Sequence, residues 1–434
     1  MDDKSWFTLR SLIVTIIEKV ESGWLLDETI DHFFSGERLP AEQKSLIHEI
    51  VSGVFRWKGY FDWVLRQYAR KNVKKHVRYL IWASLYQVAF MKKSSHHVVK
   101  ESVEYAKAEH GINTAGFVNA VLRKYLREIE TRRISKPGVI SQTGSLSPDI
   151  MAVVYSFPQW LVQRWRKRFG HSKAELLFSH LNKPPEFALR VIEHNITKYE
   201  AITKLENLSL MVKPGKFLES ALYVNRLAPL IQDELLRNKL ISIQDETSQL
   251  AVHSLQLKPG SLVLDACSGL GTKASHIMDL ATGIRLVALD NSLSRLSFAD
   301  RRSSLILGDA NFAPFKDEVF DAIILDAPCS SLGIIQKHPE IKWRRRENDI
   351  NHFSHKQYAM LKSVWDKLKV GGHLVYSVCS FEPEETIDVI NKFKNIRKFA
   401  LENPLPFLFN KEYFVSLPFE TGMDGFFIAR LKKL

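Results

Sequence analysis

Cysteine is scarce: the 434 residues hold three, Cys267, Cys329 and Cys379. That number excludes a disulfide scaffold and a four-cysteine zinc site. Long apolar runs are also missing. LIVTII, which follows the acidic start MDDKSWFTLR, is too short for a signal-peptide core or a membrane span. The expectation is a cytoplasmic protein of a reducing compartment, not held by a membrane. Internal repeats and low-complexity tracts are absent. Acidic residues are outnumbered, 48 Asp and Glu against 61 Lys and Arg, for a formal charge of +13. An excess of that size points to an anionic partner: nucleic acid, acidic lipid or an acidic protein. Apolar residues at 45% and charged residues at 25% exclude wholesale disorder. The length calls for two or three domains.

What is present divides the chain by texture. Residues 1–135 repeat apolar side chains at helical spacing, as in Leu9, Leu12, Ile13, Ile16, Ile17 and Val20, then Leu46, Ile47, Ile50, Val51 and Val54. YLIWASLYQVAFM and GFVNAVLRKYLREI predict two further helices, so this part reads as all-helical. Residues 136–146, rich in Gly, Ser and Pro, read as a linker. Residues 147–243 read as a small α+β module: SFPQWLVQRWRKRFG predicts a helix with Pro158 near its start and Gly170 at its end, and FALRVI and ALYV are short apolar runs. From 244 to 434, LVLDAC, RLVALD, SLILGD, AIILDAP and HLVYSVCS alternate with helical segments. Nearly continuous apolar runs of this kind are buried parallel strands, and their order predicts an open α/β sheet that binds ligands beyond the strand carboxyl ends.

The chemistry-bearing residues collect at those ends. LVLDACSGLGTKASHI is strand, glycine turn and helix; Gly269 and Gly271 let the backbone approach a ligand at a helix N-terminus, although a lone GxG also fits a merely tight turn. Asp265, Asp290 and Asp309 end three successive strands, a pattern that suits a nucleoside cofactor. Cys329, three residues after Asp326, and Cys379, with Ser377 and Ser380 beside it, end two more. Buried cysteine is usually a small hydrophobe, but two in one predicted crevice suit a thiolate that attacks an electrophile. His338 lies near Cys329, yet HPEIKW reads equally as a turn into a basic helix. No His or Cys pair has metal-ligand spacing, and no metal is expected.

ILDAPCSSLG, HPEIKW, VYSVCSFEPEE and the terminal TGMDGFFIARL together resemble the RNA cytosine-5 methyltransferases, and within them the bacterial Sun/Fmu type that modifies 16S ribosomal RNA. LIHEIVSGVFRWKGYFDWVL resembles that family's NusB-like helical domain, and FPQWLVQRW, NKPPEFALRV and QDETSQLAV fall in the family order. The resemblance implies a Rossmann-like class I methyltransferase domain, preceded by the NusB-like domain and the α+β module, that uses S-adenosylmethionine. It assigns Gly269–Lys273 to the methionine part of the cofactor, Asp290 to the ribose and Asp309 to the adenine side. The implied cofactor-binding set is Asp265, Cys267, Ser268, Gly269, Leu270, Gly271, Thr272, Lys273, Asp290, Arg295, Asp309, Ala310 and Asp326, with Cys267 mainly packing behind the turn. Cys379 is implied as the nucleophile that adds to C6 of cytosine, Cys329 as the residue that assists its release, and Asp326 as the group on the N3 edge of the base.

The chain departs from the family pattern in places. Gly269-Leu270-Gly271-Thr272-Lys273 replaces Ala-Pro-Gly-Gly-Lys, Val378 replaces the usual Thr, and only 19 residues separate Asp290 from Asp309. The competing reading is a non-catalytic RNA-binding or ribosome-assembly factor descended from such an enzyme. RNA contacts are expected among Arg56, Lys58, Arg66, Arg70, Lys71, Lys74, Lys75 and Arg78, which interleave with Trp57, Tyr60, Phe61, Trp63 and Tyr68. Two further groups are Arg164, Arg166, Lys167 and Arg168, and Arg344, Arg345 and Arg346. Aromatics at helical spacing are, however, mostly core. Residues 1–135 carry 22 basic and 16 acidic side chains, a net +6, so positive charge is densest at this end. The protein is expected to act as a monomer.

Overall fold

The computed structural model describes residues 3–36, 39–69, 72–91, 94–135, 137–138, 146–231 and 233–434. Arg70 and Lys71, and most of the expected linker (136 and 139–145), lie outside the described residues. The chain forms two compact units, one of residues 1–183 with 337–346, the other of 184–336 with 347–434. The first boundary therefore falls inside the stretch 147–243, and a short piece of the methyltransferase-like sequence belongs to the helical unit.

The helical unit starts with α1 (Asp3–Glu21), α2 (Leu26–Gly36), α3 (Ala41–Tyr68), α4 (Lys75–Phe90), α5 (Ser95–His110) and α6 (Ile112–Glu130). The helical spacing of Leu9, Ile13, Ile16, Ile17 and Val20 puts all five on the buried face of α1. α7 (Pro148–Val154), α8 (Gln159–Phe169) and α9 (His171–Leu181) follow. α8 starts after Pro158 and ends at Gly170, whose φ of +78° is a conformation glycine adopts without strain. The interleaved aromatics of α3 are mainly core: Trp57, Tyr60 and Phe61 are buried, and so is Arg56. These four are not an RNA surface, because α3 is covered on several faces and the 3.6-residue period turns its apolar positions inward. Arg66, Lys74 and Lys75 remain exposed.

The second unit holds a small and a large sheet. In the small one, β1 (Phe187–Val191), β2 (Val212–Pro214), β3 (Ala221–Val224) and β4 (Ile241–Ile243) pair antiparallel in the order β2-β3-β1-β4. The large sheet comprises β5 (Leu262–Asp265), β6 (Arg285–Asp290), β7 (Ser304–Leu307), β8 (Phe320–Asp326), β9 (Leu368–Val378), β10 (Phe399–Glu402), β11 (Tyr413–Ser416) and β12 (Phe426–Lys433). Its order is β10-β12-β9-β8-β5-β6-β7, with β11 also paired to β12. The five expected strands, β5 to β9, run parallel, and β10 to β12 add an antiparallel flank. Apolar side chains cover both sheet faces, which explains why the central strands read as unbroken hydrophobic runs. Strand order reverses between β5 and β8, the switch point beyond which open α/β sheets bind ligands. No helix among the described residues is long and apolar enough to cross a membrane.

Candidate active site

Asp265 ends β5 and Asp326 ends β8, so both stand at the switch point. After Asp265 the chain turns through Cys267, Ser268, Gly269, Leu270 and Gly271 into the helix Thr272–Leu280. Gly269 and Gly271 have φ of +56° and +81°, and a Cβ on Gly271 would lie 2.7 Å from Ala299 Cα. Glycine at 271 is thus required by conformation and by space. The Gly269 N–H donates to Asp290 Oδ2 at 2.9 Å. Asp290 also accepts from the Ser292 N–H at 2.9 Å and pairs with Arg295 at 3.0 Å, so Arg295 serves the carboxylate. Asp309 caps the next turn through the Asn311 N–H at 2.9 Å, followed by Ala310 and the largely exposed Phe312. The short spacing from Asp290 to Asp309 leaves room for only the four-residue helix Leu293–Leu296.

Asp265 is the outlier in this crevice. It is fully buried, and among the described residues neither its oxygens nor the buried Ser268 hydroxyl meets a partner in full hydrogen-bond geometry, although Ser268 and the Cys267 N–H lie close enough to favour the charged form. Burial pushes the Asp265 carboxyl up to about 7, against the pull of the nearby Lys273 ammonium. Burial also raises the Cys267 thiol, with Asp265 adding to the effect, as suits a packing residue behind the turn. Buried acceptors so poorly satisfied are costly, and a ligand carrying an ammonium or hydroxyl group would satisfy them.

On the other side of the switch point, Asp326 stands opposite Ser377 in the β8–β9 register. Its Oδ1 accepts from the Ser377 hydroxyl at 2.7 Å and its Oδ2 from Lys273 Nζ at 2.5 Å. Burial works to lower the Lys273 ammonium, but the Asp326 carboxylate, with Asp265 and Cys379 adding to it, turns the net shift upward. The loops after β8 and β9 bring Cys329 and Cys379 together, with their sulfurs 3.1 Å apart. Ser331 Oγ lies 3.6 Å from the Cys379 sulfur and 3.9 Å from that of Cys329. Ser331 has φ of +61°, a left-handed conformation costing roughly 1–2 kcal/mol for a residue with a Cβ. Sharing a hydrogen bond with Cys379, together with burial, raises the Cys329 thiol well above its ordinary value. All three cysteines are free.

Two glycines explain motif positions with no chemistry of their own. A Cβ on Gly333 would sit 2.0 Å from Gly425 O and 2.9 Å from Cys379 O. The Gly333 N–H donates to Cys379 O at 3.1 Å, and the Gly425 N–H to Gly333 O at 2.8 Å. The contact joins SSLG, the Cys379 turn and MDGFF. Gly333, Gly425, Ser330 and Glu385 stand within ILDAPCSSLG, TGMDGFFIARL and VYSVCSFEPEE, but no residue type or spacing there marks them as part of the site. In the helical unit, Ile341–Arg344 is the helix expected after HPE, and His338 lies 3.4 Å from Asp27. Lys342 in that helix is buried, donating to Arg56 O at 2.8 Å and Asn182 Oδ1 at 3.3 Å.

Comparison with known proteins agrees with this arrangement. Residues 252–432 match the family described as 16S rRNA methyltransferase RsmB/F, 8–127 match the NusB family, and 157–230 match the RsmF/B-like ferredoxin-like domain. The chain is 32% identical to the ribosomal RNA small subunit methyltransferase B of Vibrio cholerae, over 91% of this chain and 92% of that protein. Among solved structures, that of PH0851 covers 100% of this chain and 99% of its own at 22% identity, with a TM-score of 0.81. NSun6 from Pyrococcus horikoshii with SFG covers 64% and 99% at 18% identity, with a TM-score of 0.55. By its sequence match over nearly the whole length, the chain belongs to the 16S rRNA methyltransferase RsmB/F family.

Proposed function

We propose that this methyltransferase transfers the methyl group of S-adenosylmethionine to C5 of a cytosine in small-subunit ribosomal RNA, through a covalent bond between Cys379 and C6. The observation that carries the reading is the pair of sulfurs 3.1 Å apart beside an Asp326 already fixed by two donors. The small-subunit ribosomal RNA substrate comes from the relatives' names, and an S-adenosylmethionine analogue bound in one structural neighbour supports the cofactor.

The residues present fit that cofactor. Buried Asp265 and Ser268, with the turn 269–273, would hold its methionine part, Asp290 its ribose, and Asp309 and Ala310 its adenine side. When bound, it supplies an electrophilic methyl group on a positively charged sulfur. C5 of cytosine is a poor nucleophile until the Cys379 thiolate adds at C6 and turns the ring into an enamine. As the thiolate adds, the displaced electrons pass through C4 to N3, which takes a proton from water; Asp326, held by Lys273 and Ser377, accepts a hydrogen bond from that N3–H and stabilises the adduct. After methyl transfer the C5 proton is lost, the C6–S bond breaks and its electron pair returns to Cys379. The Cys329 thiol, kept protonated by its raised pKa, is placed to donate to the departing sulfur. The target base must be unpaired or flipped out to expose C6. Survival of both cysteines and Asp326 weighs against the non-catalytic reading.

Two substitutions test the roles. Cys379→Ala should abolish methylation of transcribed small-subunit RNA, by at least about 10³-fold. Cys329→Ala should accumulate a protein–RNA adduct seen as a slow band on a denaturing gel. Wild-type turnover in the first variant, or normal turnover with no adduct in the second, removes that residue from the mechanism.

A further inference from the structure

One buried charge at the site has no task in this scheme. Glu385 lies in the short 3-10 helix Pro383–Glu385 after the Cys379 turn and has no exposed surface. Its Oε1 accepts from the Ser330 N–H at 2.7 Å and from Gln357 Nε2 at 3.2 Å. Its Oε2 accepts from the hydroxyls of Ser330 at 2.5 Å and Ser380 at 2.6 Å. The Tyr376 hydroxyl donates to its backbone carbonyl at 2.7 Å, and Gln357 also donates to Pro328 O at 3.0 Å. Ser330 directly follows Cys329, and Ser380 directly follows Cys379. A single carboxylate therefore ties the two cysteine-bearing loops, which leave different strands.

A buried carboxylate is a poor device for stability alone, since desolvation offsets much of what its bonds return and an apolar residue packs as well. What it adds is direction: four donors converge on two oxygens with fixed geometry. The Cys329 loop needs such a tie, because Ser331 holds a left-handed conformation there.

We propose that Glu385 is a positioning residue for the methyl-transfer cycle: through Ser330 and Ser380 it holds the loops in the register that leaves the two sulfurs 3.1 Å apart, and so sets the rate at which Cys379 is released. In the affected step the C6–S bond breaks with its electrons passing to Cys379. The C5–H electrons form the C5–C6 double bond, water takes the proton, and the Cys329 S–H donates to the departing thiolate. The proposal rests on the function proposed above.

Glu385→Gln keeps the size but replaces one acceptor oxygen with a donor. Single-turnover reactions with transcribed small-subunit RNA and S-adenosylmethionine would be followed by denaturing gel, alongside the melting temperature and cofactor affinity. The expected result is adduct formation at the normal rate and release slowed about 10- to 100-fold. Melting should stay within a few degrees and cofactor affinity within about twofold of wild type. Ser330→Ala and Ser380→Ala each remove one donor and should give the same shift in smaller measure, also where the Gln variant fails to fold. Adding Glu385→Gln to Cys329→Ala should not lengthen the adduct lifetime further. The proposal is overturned by folded Glu385 or serine variants that release product at the wild-type rate, or whose formation and release fall together in proportion to lost folded protein. A Cys379→Ala protein that methylates normally overturns the functional reading itself. Inactive Cys379→Ala, trapped Cys329→Ala and normal release in the Glu385 and serine variants would remove only the role of Glu385.

Discussion

A fully buried carboxylate whose oxygens lack full hydrogen-bond geometry, as in Asp265, is a local cost that a donor group on a ligand would offset. Its pKa of about 7 makes that cost measurable. Because the folded value lies above the unfolded one, the protonated form is favoured in the fold. The stabilising contribution is complete below about pH 4 and is lost as pH rises through about 7. The cofactor-free protein should therefore lose stability from pH 5 to pH 8 more steeply than Asp265→Asn. Equal pH slopes for the two in thermal melts would show that burial does not raise the Asp265 carboxyl in solution. Lys342 teaches the complementary lesson. HPEIKW reads as a turn into a basic helix, yet burial holds Lys342 well below the usual lysine range among backbone and amide acceptors. Charge at a sequence position does not say which way a side chain points.

At the scale of elements, β5 to β9 were legible because a strand buried on both faces has no alternation to hide it. The antiparallel flank was not. FFIARL was read only as part of a motif, although β12 is a central strand paired with β9, β10 and β11. Its partners lie up to about 60 residues away, and no short-range turn signal announces such pairings. The aromatic and basic interleaving of α3 was half misleading, since burial of Trp57, Tyr60 and Phe61 shows that the helical period served the core. Proximity of the two cysteines followed from their strand ends, whereas the Gly333–Gly425 contact that supports the Cys379 turn joins loops that no local pattern links. Gly333→Ala should destabilise the second unit by about 2 kcal/mol or more, because the clash is with backbone that has nowhere to move. Urea unfolding checks this, and an unchanged midpoint would mean that the close approach is not held in solution.

For the whole molecule, the charge excess and the family membership point to RNA, and the residues left to hold it are those the core did not take. Arg66, Lys74 and Lys75 stay exposed at the end of the chain where positive charge is densest. If they meet phosphates, Lys74→Glu with Lys75→Glu should weaken RNA binding and reduce the dependence of log K on log salt by about 2, leaving cofactor affinity unchanged. An unaltered salt slope would move the RNA surface elsewhere, to α8 or to Arg344–Arg346. Cytosine-5 methylation through Cys379 is decided by bisulfite mapping of small-subunit RNA after reaction with the wild-type protein and with Cys379→Ala. One cytosine should be protected by the wild type and none by the variant; equal protection with both, or none with either, would rule the mechanism out.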